Sequence, residues 1–474
     1  MKILHINTYQ SGGAALCMQR IGNALQQQNV ECRYLLMDGN NNDITSIDSG
    51  DTNFWSKNTL LFLLQKTAYI IGIKPKIIKL KQRLAKTLYE NKEHIFTTLP
   101  LSYNHSLTSH PWVKEADIIH IHWIGNFVDF PSFFKNIKKP IVWTLHDLNP
   151  LLGCFHYLDS NQKASSQLLA IEKKCINIKH KALSNRNNIN IVAISKQMQK
   201  AISANKTLGK YPITLINNGV DTEKYIPYDK KTSRKELNIP NEMIVFMFSS
   251  SFLDDTHKGL KELINALEAA KIRNIFLLCI GNYREIPQTT FPIRCTGYIS
   301  DENLLSKYYS AADYFVMPSF QESFGQTTTE ALSCGTPVIA FPCGIAVDII
   351  DEKLGVICKD FTSEALLEAI KLAITRNYDR KEIRQKTIDK LSYNNIAKQY
   401  INLYKNILNN NKYTENNKAF SKLNYDIINQ QKTEHKRQLE LFSQLDQRRN
   451  FYKMALTHPR YIAGWIKKEI KNLK

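Results

Sequence analysis

The sequence has no cysteine pair in C-x-x-C spacing. Its nine cysteines are odd in number and scattered, and several stand in apolar runs, Cys279 and Cys343 among them. That usage argues against a disulfide framework and for reduced thiols in a cytosolic protein. Long apolar runs are missing too. The most apolar stretch, Leu60 to Ile73, is broken by Gln65 and Lys66. It falls short of the ~20 residues needed to cross a bilayer. Residues 3–7 already read as a strand, so no signal peptide is expected. The expected location is cytoplasmic, either soluble or peripheral at the inner face of the cell membrane. A complete G-x-G-x-x-G is absent, which lowers the case for a dinucleotide enzyme. No internal repeat and no recognisable nucleic-acid motif are present.

What is there is ample and basic. A chain of 474 residues suggests two or three domains, and 43% hydrophobic residues suffice for a sizeable core. A net charge of +20 suits anionic partners: a membrane surface, phosphorylated substrates or nucleic acid. Nucleic acid has only the charge in its favour and is not expected.

One stretch organises the rest, Asp313 to Phe341, DYFVMPSFQESFGQTTTEALSCGTPVIAF. Tyr314 to Met317 has the length of a buried strand. Pro318 and Gly325 punctuate a loop, a helix follows from about Gln326, Gly335 stops it, and Val338 to Phe341 is the next strand. This strand, loop, helix, strand unit is the parallel α/β building block. Glu322 lies in the loop at the strand's carboxyl end, where open α/β sheets bind ligands. Glu330, eight positions on, is about one turn inside the helix. Free amides near Gln326, Thr327 and Thr328 suit an anion. A carboxylate on each side of a phosphate cradle fits a ligand with hydroxyls at both ends, such as a nucleotide sugar. Taken alone, two glutamates are more often solvated.

The flanking ESFG and EALSCGTPV weigh against that bland reading. The stretch closely resembles the Glu-x7-Glu motif of family-4 retaining glycosyltransferases of the GT-B fold. HW at 122–123 followed by KPIVWTLHD resembles the first domain of the exopolysaccharide or colanic-acid type within that family, and NNGVDTEKY its interdomain junction. The likeness covers roughly residues 1–410. It implies two doubly wound Rossmann-like domains facing across a cleft, with a helical C-terminal tail. It also implies transfer of a sugar, with retention, from a UDP- or GDP-linked donor to a saccharide or lipid-linked acceptor in bacterial surface polysaccharide synthesis. No cofactor and no metal are expected. A nucleotide-sugar epimerase of the same architecture and a non-catalytic sugar-binding relative stay open as alternatives.

The resemblance also assigns residues. Glu330 would hold the ribose diol. Glu322, with the amides of Ser323, Phe324 and Gly325, would hold hydroxyls of the donor sugar. Lys258 would meet the diphosphate. His146 would sit beside sugar and acceptor. The family often carries an arginine shortly before this lysine, and SSSFLDDTHKG has none. Lys258 and backbone amides then carry the diphosphate, or Arg284 helps. Asp254 and Asp255 are a poor metal signal, and the stretch just after the HD pair, often cysteine-richer in similar members, holds only Cys154 and Cys175, so no metal site is assigned.

The rest of the chain reads in order. ILHIN, residues 3–7, runs into Gly12-Gly13, where a phosphate or sugar can approach the backbone. A plain tight turn fits those glycines equally well. Ala15 to Gln27 has helical spacing. Trp55 to about Lys92 reads as one or two amphipathic helices inserted in the first domain, either facing the core or forming a membrane-surface or acceptor-side element. IIHIH and IVWTL are strands, the second ending at His146. The expected domains are 1–218, with the insert at about 55–92, then 219–391, a crossover helix at 392–410, and a basic tail at 411–474. In the tail, beyond Pro459, Ile462, Trp465, Ile466, Ile470 and Leu473 share one helical face, with lysines on the other side or the flanks. That suits an anionic membrane surface or packing on protein.

Overall fold

Thirteen short runs, most of them apolar, form two parallel sheets in a computed structural model. It describes residues 1–37, 45–46, 76–104 and 107–409. The first part of the insert and the basic tail 411–474 lie outside the described residues. Met1–Gly50 and Leu80–Lys405 make up one compact unit, to which both sheets belong.

The first sheet holds β1 (Lys2–Asn7), β2 (Glu31–Leu36), β3 (Thr45–Ser46), β4 (Ile118–Ile121), β5 (Ile141–Leu145), β6 (Ile189–Ala193) and β7 (Ile213–Leu215), in the order β3-β2-β1-β4-β5-β6-β7. The second holds β8 (Ile244–Phe252), β9 (Ile275–Asn282), β10 (Ile293–Cys295), β11 (Tyr314–Met317), β12 (Val338–Ala340) and β13 (Gly355–Ile357), in the order β10-β9-β8-β11-β12-β13. Every pairing within them is parallel. Parallel strands are covered on both faces, which is why β5, β9 and β11 are nearly unbroken apolar runs. Strand order reverses between β1 and β4 in one sheet and between β8 and β11 in the other. Loops at the carboxyl ends of strands diverge there and leave a crevice.

Five helices position the site: α1 (Gly13–Gln26), α2 (Ser166–Leu183), α3 (Glu302–Ala311), α4 (Gln326–Ser333) and α5 (Tyr393–Asn409). The second half of the expected insert, Lys76–Glu90, is a helix whose Leu80 and Leu84 are buried against Leu99, Phe155 and Leu168. That face packs on protein. Helix α5 returns to the first sheet, where Tyr400 hydrogen-bonds Thr144 at 2.9 Å and Tyr404 meets His120 at 2.7 Å. Its start lies beside the junction after β7: the Val220 amide donates to the Leu391 carbonyl, and the Tyr393 ring packs over Gly219. The chain thus passes between the two sheets twice, side by side.

Candidate active site

Both switch points open on a cavity of about 320 Å³. From the first half it is lined by Gly13, Cys17, His146, Asp147, His156 and Tyr157, and from the second by Lys258 and the run Gln321 to Gln326. Of the residues singled out in the sequence, Gly13, His146, Lys258, Glu322, Ser323, Phe324, Gly325 and Gln326 are brought together here. Gly12 stands next to it, exposed, at φ 92°. Thr327 is half-buried in the first turn of α4, and Glu330 is buried behind that turn. Neither lines the cavity.

Lys258 ends a short 3-10 turn, Thr256–Lys258, capped by Asp255, whose carboxylate accepts from the His257 amide at 3.0 Å. Its ammonium donates to Glu322 Oε1 at 2.6 Å. Burial works to lower the lysine pKa. The Glu322 carboxylate outweighs it, and the net shift is upward, so Lys258 is charged at neutral pH. Glu322 and Ser323 sit on a loop that bends into α4 at Gly325, where φ is +92° and a Cβ would crowd Met317 Sδ at 3.0 Å. Only glycine meets that backbone without strain.

Glu330 Oε2 accepts from the Tyr309 hydroxyl of α3 at 3.0 Å. Burial raises its pKa, and Arg20 with the two tyrosines Tyr309 and Tyr225 offsets this only in part. Arg20, from α1, pairs with Glu302 at the start of α3. Cys17 lies 3.8 Å from Gln326 Oε1, and Ser195 Oγ donates to the Ser323 carbonyl at 3.2 Å. On another rim His257 meets Asp159 at 3.0 Å and stacks on Tyr157. The two halves therefore touch around the cavity on several sides.

Several lining residues were not singled out in the sequence. Asp147 Oδ2 accepts from Trp123 Nε1 at 2.7 Å and lies 2.6 Å from His156 Nδ1. Burial would raise the Asp147 pKa. The His156 and Trp123 contacts more than cancel that, and the net shift is downward. The available signal was the HD pair itself, 146–147. The loop from Asp147 to His156 is tied to α2 from beneath. Glu172, buried, accepts from the amides of Gly153, Cys154 and Phe155 at 2.5, 2.5 and 3.1 Å. Lys179, also buried, donates to the carbonyls of Asn149 and Leu152 at 2.6 and 3.0 Å. Burial lowers its pKa to about 8. Glu172→Gln turns one acceptor oxygen into a donor against these amides. A loss of about 1–2 kcal/mol in unfolding free energy is expected, measured by denaturant titration.

With this geometry the chain can be set beside known proteins. Residues 229–390 match the family described as Glycosyl transferases group 1, and residues 86–224 match Glycosyltransferase Family 4. The chain belongs to this glycosyltransferase superfamily. An uncharacterised glycosyltransferase of Methanocaldococcus jannaschii is 22% identical over 67% of this chain and 86% of its own length. A D-inositol 3-phosphate glycosyltransferase of Catenulispora acidiphila is 24% identical, over 50% of this chain and 58% of its own length. An N-acetylgalactosaminyltransferase of Campylobacter jejuni that acts on a diphospho-undecaprenol-linked sugar is 26% identical over 40% of this chain and 54% of its own length. In fold the chain is similar to sucrose-phosphate synthase from Thermosynechococcus elongatus, with a TM-score of 0.58 at 19% identity over 86% of this chain and 98% of that one. It is also similar to Anabaena HepE in complex with UDP-glucose, with a TM-score of 0.54 at 18% identity over 86% of this chain and 100% of that one. The two-domain α/β architecture of this glycosyltransferase is thus the GT-B fold.

Proposed function

We propose that this glycosyltransferase moves a sugar from a UDP- or GDP-linked donor to a saccharide or lipid-linked saccharide acceptor, with retention at the anomeric carbon and without a metal. The Lys258–Glu322 ion pair carries the reading. It stands in the cavity between the switch points, opposite His146 of the other half. When a donor binds, its diphosphate competes with Glu322 for the lysine. Lys258 then neutralises the departing charge, and the freed carboxylate accepts from sugar hydroxyls. The amides at the start of α4 face the same charge, aided by the helix dipole. On the resemblance Glu330 takes the ribose diol, although its carboxylate lies behind the first turn of α4 and does not line the cavity of the ligand-free protein. The attacking hydroxyl approaches on the leaving-group face, and no enzyme nucleophile is assigned. A role in bacterial surface polysaccharide synthesis, and a membrane-bound acceptor, rest on the sequence resemblance and on the basic tail.

The test is to mix the protein with UDP- and GDP-sugars, with and without saccharide acceptors, and follow nucleoside diphosphate release. Proton NMR of the product reads the anomeric configuration. Absence of release with every donor overturns the reading, and an inverted product overturns retention. His146→Ala should lower transfer about ten-fold and leave nucleoside diphosphate affinity nearly unchanged, since the loss is one hydrogen bond to the sugar. Lost diphosphate affinity would instead set His146 against the phosphates.

A further inference from the structure

The first sheet has two unlike faces. Leu4, Ile6, Ile119, Ile121, Trp143 and Leu145 enter an apolar core. The alternate positions carry His5, His120, His122, Thr144 and His146. His5 and His120 are register partners on β1 and β4. His5, His120 and His122 are fully buried. His5 Nδ1 lies 3.0 Å from His122 Nε2, and His122 Nδ1 lies 3.0 Å from His146 Nε2. A line of three rings thus runs from the buried sheet to the cavity. Because Nε2 of His146 is turned to His122, Nδ1 is the ring nitrogen left for a ligand.

A neutral imidazole has one N–H and one bare nitrogen. Burial pushes His5 down to about 3 and His146 to about 4, and holds His122 well below its ordinary value, so all three are neutral at pH 7. Each ring-to-ring bond then uses one proton, and only two patterns fill both bonds. In one, every ring carries its proton on Nε2. His5 would then hold a buried N–H at Nε2, an atom with no partner. In the other, every proton is on Nδ1 and the partnerless His5 atom is a bare acceptor. Orphaned buried N–H groups are the rarer defect, so the second pattern is favoured. We propose that His5 and His122 form a proton-ordering relay that holds the His146 proton on Nδ1 and presents His146 to the cavity as a hydrogen-bond donor.

His5 and His122 are positioning residues in this scheme, since they act through His146. The same cluster with His120 is close enough to suggest metal ligands. Both nitrogens of His120, however, already face hydroxyls, Thr144 at 2.8 Å and Tyr404 at 2.7 Å. The value of a donor for transfer rests on the glycosyl-transfer reading, whereas the proton order does not.

The test uses the full chain with nitrogen-labelled histidine. Long-range proton–nitrogen correlation spectra distinguish the two protonated forms, and H146Q assigns the His146 signals. Wild-type His146 is expected to be protonated on Nδ1. His122→Phe should give a mixture of forms and lower kcat about ten-fold. His122→Gln, whose amide both accepts from His5 and donates to His146, should restore the order and most of the rate. Wild-type His146 protonated on Nε2 overturns the proposal, as does an unchanged order in a folded His122→Phe protein or stoichiometric metal in the purified protein. The wild-type spectrum decides the matter even where His122→Phe does not fold. If no nucleotide sugar is turned over, the glycosyl-transfer reading fails, while the proton order is still read directly.

Discussion

Lys258→Met is expected to cut sugar transfer about 100- to 1000-fold, the effect of removing one preorganised group from a developing charge. Stability should change far less. Among the described residues the lysine's one ion pair is with Glu322, and the two side chains are 30% and 18% exposed. An ion pair of that kind contributes little to folding. The methionine fills the space of the aliphatic stem, so the lost quantity is the charge. The measurement is kcat with a saturating donor, alongside a thermal melt. Lys258→Arg keeps the charge but not the compact ammonium, so partial activity is expected of it. Coupling can be read directly from a double-mutant cycle. If Lys258 and Glu322 exchange partners on donor binding, Lys258→Met and Glu322→Gln together should cost less than the sum of the two. Near-normal turnover in Lys258→Met would remove the lysine from the reaction and move attention to Arg284, which is exposed and lies 3.9 Å from Asp254.

The parts legible in the sequence share a physical character. Tyr314–Met317 and Ile141–Leu145 are strands with both faces covered, and they stand out as apolar runs with turns at their ends. Edge strands do not. Ile293–Cys295 and Gly355–Ile357 are three residues each and end their sheet, too short to stand out as apolar runs, and the first is half-buried throughout. The helix Arg380–Leu391 carries little apolar signal because charged residues surround its few apolar positions, and only Ile383, Thr387 and Leu391 are buried. The site divides in the same way. Glu322, Gly325 and Gln326 come from one contiguous loop and helix, so the stretch could be recognised as a unit. The Asp147, His156 and Trp123 contacts close the loop after β5 on itself and tie it to the stretch just after β4, and nothing local to either stretch announces the partnership. His5, His120 and His122 are legible as residues within strands, but as interruptions of an apolar pattern. Their connection appears only once the register sets β1 beside β4.

Glu330→Gln is expected to do two opposite things. It should weaken nucleoside diphosphate binding about 10- to 100-fold, because charge-assisted hydrogen bonds to a ribose diol become neutral ones. It should also stabilise the ligand-free protein at neutral pH. Burial raises the Glu330 carboxyl above its ordinary 4.5, with Arg20 and the tyrosines compensating in part. A folded-state pKa raised above the unfolded one means that the native protein holds the proton more tightly. Its contribution to stability is fully present below the unfolded value and is lost as pH rises toward the folded one. Above that window the native state carries a buried charge that glutamine does not have. The melting temperature of Glu330→Gln relative to wild type should therefore climb as pH rises from the ordinary 4.5 through the folded value, then level off. Thermal melts across that range, together with titration of UDP and GDP at neutral pH, separate the two roles. A gain in stability with unchanged nucleotide affinity would leave Glu330 as a structural partner of Tyr309 alone, whereas the paired outcome marks a carboxylate kept charged for a ligand at the expense of the fold.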